Sequence, residues 1–282
     1  MKKWLISNKR APSNYKFSVV DVIESSNSDH ETFDYLGREL LLAHGSPKMI
    51  EKECEKLIRD AEENHLDVIK KYVEKEILPS KKLFRKKINK KIINPSWIGN
   101  FGEVLAAKYL IEFEEFWLPI YKLRFREKKD WAPRLTDLCL IKHDRLPKPM
   151  VCYGEVKTKS IGCNKKLAVE GHCSFAKDDA LSNAEILRFI STWLYETDRI
   201  EEAGFISDIR SGLQSYDKKH ILFLIHNKES WLDEILDNLE CCELDQRLVD
   251  FTVNVVLIAN LGEVINSSYD QAWKGALEIV NE

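Results

Sequence analysis

The stretch LTDLCLIKHDRLPKPMVCYGEVKTK, residues 135–159, decides the fold and places the chemistry. Two apolar runs, 138–141 and 150–153, flank HDRLPKP, whose two prolines cannot donate to a strand ladder. The pattern predicts a β-hairpin with a medium loop. With the loop centred on Leu146, antiparallel register pairs Ile141 with Val151, Cys139 with Tyr153 and Asp137 with Glu155. Directly opposed residues project to one face, with Cβ atoms ~4.5–5.5 Å apart. Two opposed carboxylates repel. A hard divalent cation removes that conflict, since Mg2+ takes carboxylate oxygens at ~2.0–2.1 Å. Lys157 lies two residues past Glu155, so strand periodicity puts it on the same face. Two carboxylates and an ammonium on one face can hold a metal and orient or deprotonate a water, which is the chemistry of metal-assisted hydrolysis. Plainer roles exist for each: an Asp opening a strand can be a turn residue, and Glu-x-Lys on a strand can be a solvated face. The apolar flanks favour a site, because charges that end buried strands gather where function lies.

Working outward, residues 97–113 read as a helix whose apolar positions cover most of its circumference, with Lys108 and Glu112 on the solvent side. Glu103 lies on the other side, beside Leu110 and the small Ala106 and Ala107, which let a helix press on a sheet. A carboxylate in that arc needs a partner, since burying an unpaired charge is costly. The metal site would be one; the positive end of the helix macrodipole would be another. Upstream, residues 15–24 read as a strand and 34–43 as a short helix. Ser46 and Pro47 open a long helix, as N-cap and first position, that runs to about Ile77 and is stopped by Pro79. The run KKLFRKKINKK, residues 81–91, holds seven basic residues in eleven, and Asn94-Pro95-Ser96 marks the strongest boundary. Further on, 117–125 and 220–226 read as strands, 177–197 and 229–240 as helices, 251–259 as a strand and 271–281 as a last helix. Strands mixed with helices of this size predict an α/β layer domain over 95–282 behind an α-rich region over 1–94.

The chain has 282 residues, 44% hydrophobic, enough for a substantial core. Its 43 Lys+Arg against 46 Asp+Glu give a net charge of −3, which excludes a wholly basic, histone-like DNA binder and a largely disordered chain. Residues 1–94 carry 20 basic and 15 acidic residues, net +5; residues 95–282 carry 23 and 31, net −8. Nothing reaches the ~20 apolar residues of a membrane span, and no secretory signal is read in MKKWLISNKR. Seven scattered cysteines without a CxxC suit a reducing cytoplasm rather than a zinc ribbon. Neither GxxxxGK[ST] nor GxGxxG occurs, so the chain is not itself an ATP-driven motor.

The order of Glu103 on a helix, Asp137 at a strand start and Glu155-Val156-Lys157 on the next strand resembles the PD-(D/E)XK nuclease superfamily. Its αβββαβ core order corresponds to residues 97–226. More narrowly, FGEVLAAKYL, then TDL, then YGEVKTKS, is similar to the HamA-like nuclease subunit of Hachiman antiviral defence systems. Thr136 stands where small residues or glycine are common, and the proline of the superfamily's name is absent, as in many members. The resemblance implies a restriction-endonuclease-like core, with a central mixed sheet flanked by helices. It implies that Asp137, Glu155 and the Val156 carbonyl hold Mg2+, which Mn2+ could replace. Lys157 would position or activate the attacking water, and Glu103 would orient Lys157 or help bind metal. It further implies hydrolysis of DNA by the effector subunit of an anti-phage system, in complex with a helicase. Two rivals stay open: a stand-alone restriction or repair nuclease of the superfamily, and a non-catalytic nucleic-acid-binding module.

Arg124, Arg126, Lys128 and Lys129 precede the site and Lys159, Lys165 and Lys166 follow it, where they could grip phosphates. The 81–91 run could track a DNA backbone or form a solvated helix face or linker. The acidic balance of 95–282 points to a protein recruited by a partner, docked through residues 1–94. Cys163, His172 and Cys173 form a loose, incomplete zinc-like group, Ser160 to Gly171 reads as a mobile loop beside the site with His172 a possible DNA contact, and Trp131 could border a substrate channel.

Overall fold

The hairpin forms in the expected register. Strands β3 (Leu138–Lys142) and β4 (Met150–Lys159) run antiparallel, with Ile141 opposite Val151 and Cys139 opposite Tyr153. The computed structural model describes residues 1, 3–10, 15–26, 28–60, 64–80, 95–125, 136–143, 146–177 and 184–281. Around this hairpin a six-stranded mixed sheet assembles from β1 (Leu5–Lys9), β2 (Ser18–Glu24), β5 (Asp217–Asn227) and β6 (Phe251–Ile258), in the order β1-β2-β6-β5-β4-β3. The four central strands are parallel and the two edge strands antiparallel to their neighbours. Near-continuous apolar runs such as Ile221–Ile225 mark strands covered on both faces.

Side-chain alternation divides the core. On one face, Leu138, Leu140, Cys152, Val156, Phe223 and Val256 pack under α1 (His30–His44), α4 (Pro95–Glu114) and α9 (Leu261–Asn281). On the other, Leu222, Leu224, Val253 and Val255 meet α5 (Leu167–Lys177) and α8 (Glu234–Glu240). Cys139, Ile141, Val151 and Tyr153 meet α6 (Ala184–Glu196) and α7 (Ile200–Ser211). The result is an α/β fold with helices on both sides of the sheet and a helix-rich N-terminal region. That region shares the framework: β1 and β2 extend the sheet, and α1 lies along α9.

Several elements depart from the sequence reading, each for a local reason. The long helix expected from Ser46 is two, α2 (Pro47–Asp60) and α3 (His65–Tyr72), the second restarted by Asn64, whose side chain accepts the Leu66 amide. A π-helical turn, Val73–Ile77, then precedes Pro79. The strand expected over 117–125 shrinks to one antiparallel bridge between Trp117 and Ile141, followed by a 3-10 turn at Lys122–Phe125. Pro119 has no amide to extend a ladder. Residues 167–171, read as loop, open the helix α5, α6 covers 184–196 of the helix expected over 177–197 with 178–183 outside the described residues, α9 begins ten residues before 271, and β1 and α7 were not anticipated. The basic run 81–91 and Asn94 lie outside the described residues.

Candidate active site

The site forms where β3 begins and β4 ends. Asp137 sits one residue before β3, and its Oδ2 accepts the Val156 amide of β4 at 2.9 Å. That contact fixes the carboxylate against its neighbouring strand, so the backbone of Val156 meets Asp137 through its N–H. Glu155 and Lys157 share the opposite face of β4 from Val156. The Lys157 ammonium donates to Glu155 Oε1 at 2.7 Å and to Ser174 Oγ at 3.0 Å. Ser174 lies on α5 and donates in turn to the Glu170 carbonyl at 3.1 Å. The helix approaches closely because Gly171 faces β4 and β5: a Cβ there would stand 2.4 Å from Leu222 and 3.3 Å from Lys157. Thus α5, whose first turn fell within the loop read over 160–171, is the element that aims Lys157.

Glu103 arrives from the other face of the sheet. Gly102 lets α4 touch β4, since a Cβ at that position would lie 1.9 Å from Thr158 Oγ1. The neighbouring Glu103 then reaches the sheet end. Among the described residues its ionic partner is Lys122, 3.8 Å from Glu103 Oε2, rather than Lys157. The Lys122 ammonium also donates to Asp137 Oδ1 at 3.0 Å. Sequence reading missed Lys122 because it stood inside an expected strand; the signal was a lone lysine in the apolar run WLPIYKLRF.

The electrostatics follow from burial. Glu155 has a side chain only 11% exposed. Burial and the adjacent Asp137 charge push its carboxyl up to about 7, although Lys157 and Ser174 pull it back. Burial alone would push the Lys122 ammonium down, yet Glu103, Asp137 and Glu155 together hold it above its ordinary value. Glu103, Asp137, Glu155, Lys122 and Lys157 therefore form one ionic network. The donor chemistry fits a hard divalent cation: two carboxylates from adjacent strands, one of them resisting ionisation because it is buried beside the other. Among the described residues no group of three or more His, Cys, Asp and Glu is arranged to enclose a metal, so the carboxylate pair of Asp137 and Glu155 is an open one.

Other residues singled out in the sequence are placed elsewhere or lie outside the described part. Arg124 does not face the site: its Nε and Nη2 donate to the Leu42 carbonyl of α1 at 2.8 and 2.6 Å. Arg126, Lys128, Lys129 and Trp131 lie outside the described residues. Lys159 ends β4 on the same face as Lys157, opposite His226 of β5. Lys165 pairs with Glu234 at 2.8 Å. His172 is buried, and its Nε2 accepts the Asp245 amide at 3.0 Å, so that nitrogen serves the structure rather than a metal or a nucleic acid. Cys163 and Cys173 are exposed free thiols.

A sequence model of the HamA family matches residues 46–272, which include the whole ionic network. The chain belongs to the HamA family. HamA membership makes it a component of Hachiman anti-phage defence. No curated protein is matched by the sequence. Among the described residues of this HamA-family chain, no helix is long and apolar enough to cross a membrane.

Proposed function

We propose that this HamA-family protein is a PD-(D/E)XK-type nuclease that hydrolyses DNA with Mg2+, or Mn2+ in its place, as the effector of its defence system. The observation that carries this reading is the meeting of Asp137, Glu155 and Lys157 at the ends of two adjacent strands, with Lys157 2.7 Å from Glu155. Asp137 and Glu155, with the Val156 carbonyl, would hold the metal, which when bound supplies a Lewis acid that neutralises charge on the phosphate and acidifies water. The chain's own residues do the rest. Lys157, held by Ser174, orients the attacking water and meets the negative charge that grows on phosphorus. The water oxygen bonds to phosphorus, one ester P–O bond breaks, and the departing oxygen takes a proton. Lys159, on the same face, is placed to meet a neighbouring phosphate.

The acidic balance of residues 95–282, net −8, supports action with a DNA-handling partner, which in this reading is the system's helicase, docked through residues 1–94. Seven free thiols support a cytoplasmic home. Incubating the purified full chain with linear and circular DNA, with Mg2+ or chelator and with or without the helicase, tests the reading. Mg2+-dependent cleavage that needs the helicase is expected. Cleavage by the chain alone would favour a stand-alone nuclease, and none under any condition would favour a binding module.

A further inference from the structure

The Lys122 ammonium is buried, with its side chain 8% exposed. It stands 3.0 Å from Asp137 Oδ1 and 3.8 Å from Glu103 Oε2. Apolar walls from Leu118, Ile120, Ile186 and Ile190 leave a cavity of only about 20 Å³ beside it. Its turn is anchored from outside the site, because Arg124, two residues on, is tied to α1 through the Leu42 carbonyl. Among the described residues, three carboxylates face two lysines here. Adding a divalent ion with both lysines in place would turn a local charge of −1 into +1 inside a poorly screened pocket.

We propose that Lys122 is the internal counter-ion of this site, filling the charge role of a divalent cation in the metal-free protein, and that the metal enters in competition with it. This rests on the reading of Asp137 and Glu155 as metal ligands. Lys122 is thus a positioning residue: it keeps the carboxylates gathered before metal arrives, and it sets the metal concentration at which the site fills. Arg124 and α1 hold it in place, which links the N-terminal region to the occupancy of the site.

The test is calorimetric titration of the full chain with Mn2+, for wild type, K122M and K122Q, beside thermal melts with and without Mn2+. K122Q keeps a polar side chain with a hydrogen-bond donor and removes the charge, so it carries the test if K122M does not fold. Without metal, both variants are expected to melt below wild type. Their Mn2+ dissociation constants are expected to fall about tenfold or more, and Mn2+ to raise their melting temperature more than it raises that of wild type. Wild-type binding with equal or weaker binding by both variants would overturn the role of Lys122 and leave the metal reading standing. Absence of Mn2+ binding by every form, wild type included, would overturn both.

Discussion

Replacing Glu155 by Gln should make the metal-free protein more stable, though it removes an ion-pair partner. Glu155 titrates near 7 in the fold against an ordinary value of 4.5, chiefly because it is buried and next because Asp137 is close. Its folded form therefore holds a proton more tightly than its unfolded form. Between pH 4.5 and about 7 the native state binds more protons, so wild-type stability falls as pH rises through that window. The gap corresponds to about 3 kcal/mol, fully imposed above the window and absent below it. Gln mimics the protonated acid and can still accept from Lys157, so E155Q escapes the penalty. Urea unfolding followed by tryptophan fluorescence, in chelator, should show E155Q more stable by up to about 3 kcal/mol at about pH 8 and by well under 1 kcal/mol at pH 4.5. An E155Q protein no more stable than wild type at the higher pH would refute the strained carboxylate. Mg2+ should shrink the gap, because it stabilises the ionised wild-type site alone.

Further outcomes follow from the same contacts. G102A drives a methyl into Thr158 Oγ1 and should cost about 1–3 kcal/mol by overpacking, with T158A restoring much of it in the double variant; additive losses would contradict the close approach of α4 to β4. S174A removes one of the two contacts that aim Lys157, and should lower DNA cleavage turnover about tenfold with little change in DNA affinity and about 1 kcal/mol in stability; unchanged turnover would show Lys157 aimed by Glu155 alone. D137N should weaken Mg2+ binding measured by calorimetry, because it removes a charged hard ligand; equal affinity would place the metal elsewhere.

The hairpin register was legible because two prolines, Pro147 and Pro149, keep the segment between the runs out of the ladder and the apolar runs on each side are of strand length. Opposed carboxylates were thus readable from spacing alone. Lys122 was not, because its partners come from α4 and from the residue before β3, and only the turn after Pro119 brings it to them. The helix α5 hid in LAVEGHCSFAK, where Gly171 reads as a breaker but serves as the point of closest approach to Leu222. Strand β1 hid in LISNK, too short to show alternation before its pairing with β2 is known. Residues 1–94 read as a separate part by composition, yet β1 and β2 are sheet strands and α1 covers the same face as α4. Deleting that third would strip the sheet as well as any docking surface, so partner binding there is better probed by surface substitutions.

The account turns on whether Glu155 and Lys157 act together on a phosphodiester. DNA cleavage by the full chain with its helicase, compared for wild type, E155Q and K157A at matched folded concentration, measures this most directly. The expected result is Mg2+-dependent cleavage by wild type and its loss by at least about a hundredfold in both variants, which still melt cooperatively. Wild-type rates from either folded variant would contradict the assignment.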